Sequence, residues 1–167
     1  MCFRRFHRPR HLSGFTAIEL LVAVAIIAAL AAIAVPSFTP LLERWRVRQV
    51  TEELQSTLYF ARSEAIKRSG GITIDASAGW DQGWKVTYIQ GNTTTTLQVS
   101  SAPVKVGVTL AGGNGKITVD RWGMLMHSGS TTTTALDFTI APDSSNTAST
   151  LHLCVGTGGR IVQKSSC

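Results

Sequence analysis

Few residues in this 167-residue chain stand where their chemistry would matter. Glu19 is the first, because it interrupts an apolar run. An ionised carboxylate inside a bilayer costs about 2.5–3.5 kcal/mol even on insertion-derived scales. Two readings fit it: a carboxylate at the membrane interface, where that cost is small, and one that awaits a positive partner. Cys154 and Cys167 come next, enclosing twelve residues, VGTGGRIVQKSS. One cysteine pair in an exported domain reads as a disulfide, and closing a loop of this size contributes roughly 3 kcal/mol. A metal reading adds His152 as a neighbour, short of the four ligands of a structural zinc site. Arg160 and Lys164 lie inside the same loop. They are either incidental surface charges on a tied hairpin or cations that meet phosphate.

Other chemistry finds no support. No glycine-rich phosphate loop leads into a helix, and no histidines pair at ligand spacing. His127 and His152 stand alone in strand-like surroundings. No nucleophile elbow carries a serine. Asp75, Asp81, Asp120, Asp137 and Asp143 fall at strand ends or turns, where Asp has ordinary local uses. The expectation is a protein that is not an enzyme and needs no metal or cofactor.

Net charge is +6, which by itself suggests an anionic partner. Its distribution weakens that reading. Arg4, Arg5, Arg8 and Arg10 precede every acid, and outside residues 1–14 the balance is 12 basic to 10 acidic, or +2. From Ser69 onward six basic residues face five acidic ones.

These residues need elements to hold them. Leu20 to Val35 are 16 consecutive apolar residues, and the segment from Phe15 to Val35 is interrupted only by Thr16 and Glu19. At about 1.5 Å per helical residue it spans roughly the 30 Å hydrocarbon core. The arginines before it orient the N-terminus to the cytoplasm. Cys2 precedes this segment, whereas a lipobox cysteine follows the apolar region. Pro36 and Pro40 remove backbone donors and are expected to kink or loosen a helix. Beyond them Val47, Val50, Leu54, Ala61 and Ala65 fall at helical spacings, with Thr57 and Leu58 near the same stripe. Glu64 and Arg68 make an i,i+4 pair, and Ser69-Gly70-Gly71 is a stop. From Ile72 the period changes. Candidate strands are 72–75, 84–90, 95–100, 104–110, 116–119, 124–126, 135–141, 150–155 and 160–163, punctuated by turn residues. Trp80-Asp81-Gln82-Gly83-Trp84 reads as a tight turn feeding a strand whose tryptophan packs on the helix.

The stretch Gly14-Phe15-Thr16-Ala17-Ile18-Glu19-Leu20-Leu21, after a short basic leader and before an apolar helix, resembles the processing motif of type IV pilins and the pseudopilins of type II secretion. The helix ending ARSEAIKRSGG and the W-x-x-G-W turn are similar to features of the GspH/FimT group within that family. The resemblance implies an α+β, pilin-like fold: a long N-terminal helix, membrane-spanning in its first half, on an antiparallel β-sheet domain. It implies a cleaved leader at 1–14, a transmembrane half-helix at 15–36, an amphipathic stalk at 37–70 and a periplasmic β-rich domain at 71–167. A prepilin peptidase/methyltransferase would cut after Gly14 and methylate the new amino terminus at Phe15. Glu19 would pair with the amino terminus of a neighbouring minor pilin or pseudopilin, through the N-terminal helices. Pro36 stands where the family carries a helix-kinking proline. The expected role is structural: assembly or priming of a type IV pilus or type II secretion pseudopilus, starting from the inner membrane.

The alternative implied by the resemblance is a DNA-binding minor pilin acting in natural transformation. Gly159-Arg160 matches the start of a glycine-arginine motif that contacts DNA in minor pilins of the FimT type. Val162 stands where the second arginine would be, leaving Lys164 as a substitute cation.

Overall fold

A computed structural model describes residues 15–144 and 146–167 of the chain. Gly14 and the basic leader lie outside the described residues. The chain divides into two compact units, one ending at Thr39 and one beginning at Pro40.

One helix, α1 (Ala17–Arg68), contributes to both. In the first unit its sequence is dominated by Ala, Leu, Ile and Val. The window Ala17–Ala34 has a mean hydropathy of 2.7 and none of it is buried by the chain itself. A helix apolar on every side cannot be accommodated in water at that exposure, so this segment fits a bilayer or a bundle of other helices. The helical structure runs through Pro36 and Pro40. Each removes one N–H, leaving the carbonyls of Ala32 and Pro36 without that donor.

In the second unit the helix becomes amphipathic. Val47, Val50, Leu54, Leu58, Ala61 and Ala65 are buried, as the stripe predicts, with Thr51 and Thr57 among them. The helix stops in a Schellman motif, with Gly70 N–H bonded to the Ala65 carbonyl at 2.8 Å and Ser69 N–H to Ile66 at 3.5 Å. The left-handed position is filled by Ser69, at φ 62°, and not by either glycine.

Nine strands follow among the described residues: β1 (Ile72–Asp75), β2 (Trp84–Gln90), β3 (Thr93–Ser100), β4 (Val106–Leu110), β5 (Lys116–Val119), β6 (Leu125–His127), β7 (Leu136–Pro142), β8 (Leu151–Val155) and β9 (Ile161–Lys164). They form two antiparallel sheets, ordered β3-β2-β1-β5-β6 and β4-β7-β8-β9. Alternation decides what each sheet buries. Leu136, Phe138 and Ile140 turn inward on β7, and Ile72 and Ile74 on β1. These faces and the helix stripe make one hydrophobic cluster. The fold is therefore α+β, with the helix packed on antiparallel sheets.

Six expected strands differ in extent: β6, β7, β8 and β9 by one residue at one or both ends, and β3 and β4 by two residues at their starts. β3 begins at Thr93 because Thr93 and Thr94 complete the ladder with Gln90 and Ile89 across the Gly91-Asn92 turn. β4 begins at Val106 because Lys105 takes a positive φ of 58°, which a continuing strand cannot hold. The W-x-x-G-W segment forms a 3-10 turn at Trp80–Gln82 that leads into β2. Trp80 packs edge-on against Phe138 of the other sheet, with ring centroids 4.9 Å apart, and Trp84 is buried beside it.

Candidate functional site

At the start of the anchor, Thr16 and Glu19 form a capping box. The Thr16 N–H donates to Glu19 Oε2 at 2.8 Å and the Thr16 hydroxyl to the same oxygen at 2.9 Å. In return the Glu19 N–H donates to Thr16 Oγ1 at 3.3 Å. Orphan donors of the first turn are thereby satisfied reciprocally. The sequence carries the signature, Thr-x-x-Glu before an apolar run, but the reading of Glu19 as a carboxylate awaiting a cation passed over it. Both bonds to the carboxylate end on Oε2, so among the described residues Oε1 has no partner. Phe15, directly before the cap, is 91% exposed. This end of the helix thus presents a half-satisfied acid beside an unpacked aromatic.

The other candidate residues meet in the β8–β9 hairpin. Cys154 on β8 is bonded to Cys167, Cα atoms 5.7 Å apart, which pins the chain's last residue to the sheet. Arg160 precedes β9 and is exposed, Ile161 turns into the core, and Gln163 bonds Gln55 of α1 at 2.7 Å. Arg160, Val162 and Lys164 therefore share the opposite parity, the two cations roughly 13 Å apart along the strand. Among the described residues neither cation has an acidic partner within 4.0 Å. Val162 faces Cys154 and Lys164 faces His152 across the ladder.

A helix residue that the sequence analysis did not single out, Arg62, fixes this hairpin. Arg62 Nη1 donates to the Gly159 carbonyl at 2.6 Å. Gly159 has φ 76°, and a Cβ there would lie 3.0 Å from Arg62 Nη2, so glycine suits the position on two counts. No local signal marks Arg62; the contact spans 97 positions and exists only once helix and hairpin are packed.

Asp137, His152 and Cys167 place ligand atoms within 4.8 Å of one another, adding an aspartate to the sequence-level set. Asp137 Oδ1 lies 2.9 Å from His152 Nδ1. The Cys167 sulfur is committed to the disulfide and is not available as a thiolate ligand. The arrangement is an acid–imidazole pair on the outer face of a sheet, without the open ligand set a metal centre needs.

Comparisons agree with this architecture. The family model described as type II transport protein GspH matches residues 50–163. No curated protein matches the chain. Two crystal structures of the type IV minor pilin FimU from Pseudomonas aeruginosa share its fold. One is 21% identical with a TM-score of 0.60, covering 72% of this chain and 90% of that one. The other is 22% identical with a TM-score of 0.58, covering 70% and 91%.

Proposed function

This chain belongs to the GspH family of type II transport proteins, and from that membership we propose that it is a minor pilin or pseudopilin, a structural subunit of a secretion pseudopilus or type IV pilus. The observation that carries this reading is the unburied apolar helix Ala17–Ala34 headed by Glu19 and joined to a GspH-type β-domain. A subunit of this design is stored in the inner membrane, N-terminus cytoplasmic and residues 71–167 periplasmic. A fibre then receives it by replacing lipid around the helix with other helices. Prepilin peptidase/methyltransferase removes residues 1–14 after Gly14 and methylates Phe15. The capping box supports a two-stage role for Glu19: its own Thr16 satisfies Oε2 in the monomer, and Oε1 is open to a neighbour's amine. Pro36 is the kink position between anchor (15–36) and stalk (37–70).

Glu19→Gln separates the two uses. Glutamine still caps the helix, because its amide oxygen accepts the same bonds, but it carries no charge. The expected result is normal membrane insertion and cleavage with impaired recovery in sheared fibres. Fibre incorporation at the native level would defeat the charge-pairing mechanism.

A second reading, DNA binding, is favoured by one observation. Arg160 and Lys164 stand on one strand parity without acidic partners among the described residues, on a hairpin locked by Arg62 and a disulfide. Such a subunit presents phosphate-binding cations on the surface of a fibre, where repetition multiplies weak contacts.

A further inference from the structure

The β5–β6 turn carries an exposed tryptophan that neither the anchor nor the hairpin reading uses. Trp122 is 76% exposed, while Trp80 and Trp84 are buried in the core. Its turn is rigid. The Asp120 carboxylate accepts the N–H groups of Trp122 at 2.9 Å and Met124 at 2.8 Å, and Gly123 N–H closes the turn on the Asp120 carbonyl at 2.9 Å. Both side-chain bonds end on Asp120 Oδ1.

Arg62 brings this turn and the β8–β9 turn together. A Cβ on Gly123 would lie 3.5 Å from Arg62 Nε, and one on Gly159 would lie 3.0 Å from Arg62 Nη2. Gly123 and Gly159 are both buried, so the guanidinium is flanked by two turns that close on it. Arg121-Trp122 precedes the first of these glycines and Arg160 follows the second. Arg121, Trp122 and Arg160 are exposed, and among the described residues none of the three arginines has an acidic partner within 4.0 Å. One end of the second unit thus combines three guanidiniums with an indole held outward on a stiff turn.

We propose that this end is a binding site for single-stranded nucleic acid, with Trp122 as a platform on which a base stacks while Arg160 and Arg121 meet the flanking phosphates. The inference rests on the DNA-binding reading and extends it from the hairpin to the β5–β6 turn. A large exposed indole gains by being covered, and every nucleobase offers a π-face of the right kind. Cations alone recognise any polyanion; the indole adds preference for strands whose bases are unpaired.

The test uses the full-length chain, purified in detergent, and fluorescence anisotropy with three labelled probes: single-stranded oligothymidylate, an abasic oligomer of equal length, and a duplex. Trp122→Ala is expected to weaken oligothymidylate binding by about 5- to 100-fold, the range for loss of one stacked base. It should leave abasic and duplex binding near the native level, and Trp122→Phe should recover most of the loss. Arg160→Ala should weaken all three probes. Equal binding of thymidylate and abasic strands by the native protein, or no effect of Trp122→Ala on thymidylate, overturns the stacking site. If duplex binding still falls with Arg160→Ala in that case, the hairpin reading survives without it. If the native chain binds none of the probes, both fall.

Discussion

Thr57 Oγ1 accepts a hydrogen bond from the Trp84 indole at 3.1 Å while donating its own proton to the Glu53 carbonyl at 3.0 Å. Both side chains are buried, and the bond ties α1 to β2 at the centre of the second unit. Thr57→Val keeps the shape and removes the acceptor, leaving the indole N–H unsatisfied. A buried donor left unpaired costs about 1–3 kcal/mol, and urea unfolding should show a loss of that size. Adding Trp84→Phe should restore part of it relative to additivity, because the orphaned donor is then gone.

Arg62 should matter to the hairpin more than to the core. Arg62→Ala removes the bond to the Gly159 carbonyl and opens space beside Gly123. The expected result is a stability loss of about 1.5–3 kcal/mol, the range for a hydrogen bond to a charged group. Faster amide exchange should accompany it, confined to the β5–β6 and β8–β9 turns. Gly159→Ala should give a similar exchange pattern, since both φ and the Arg62 contact oppose a side chain there.

Ser69 offers a gain. It holds the left-handed position of the Schellman motif and is exposed, and left-handed backbone costs an L-residue roughly 1–2 kcal/mol relative to glycine. Part of that gain is offset by the greater freedom of glycine in the unfolded chain. Ser69→Gly should therefore raise stability by about 0.5–1 kcal/mol without altering the circular dichroism of the fold.

Acid should destabilise the second unit through two carboxylates. The hydrogen bond from Arg68, 2.6 Å away, holds the Glu64 carboxyl below its usual range, with Lys67 adding to the effect. Burial pushes the Asp75 carboxyl up, but hydrogen bonds from Ser77 and the nearby Lys116 outweigh it and leave the group lowered. A carboxyl lowered in the folded state binds fewer protons there than when unfolded. Its contribution is full above the unfolded value of about 4 and is lost as pH falls through the folded one. The urea midpoint should drop below about pH 4, and the drop should be smaller in a Glu64→Gln, Asp75→Asn variant.

What the sequence determined alone is what depends on short-range pattern. A run of apolar residues from Leu20 to Val35 specifies a helix for an apolar surrounding, because no water can satisfy or tolerate it otherwise. The stripe from Val47 to Ala65 names the buried face of α1, and alternation names the inward residues of β1 and β7, because helix and strand periods are local geometry. The spacing of Cys154 and Cys167 marked a small closed loop. Even the Thr16–Glu19 cap was legible in its spacing, since both partners lie in one turn.

Tertiary structure alone decided the rest. Sheet order places β1 between β2 and β5, a choice among pairings that no strand's own sequence ranks. Thr57 becomes the acceptor for Trp84 only when helix and sheet meet. Arg62 reads as one more charge on a solvated face until packing sets Gly123 and Gly159 on either side of it. Trp122 reads as one aromatic among several until the core has buried Trp80 and Trp84 and left it outside. Local pattern fixes which face of each element is apolar. The burial of those faces against one another then determines which polar groups, distant in the chain, become neighbours.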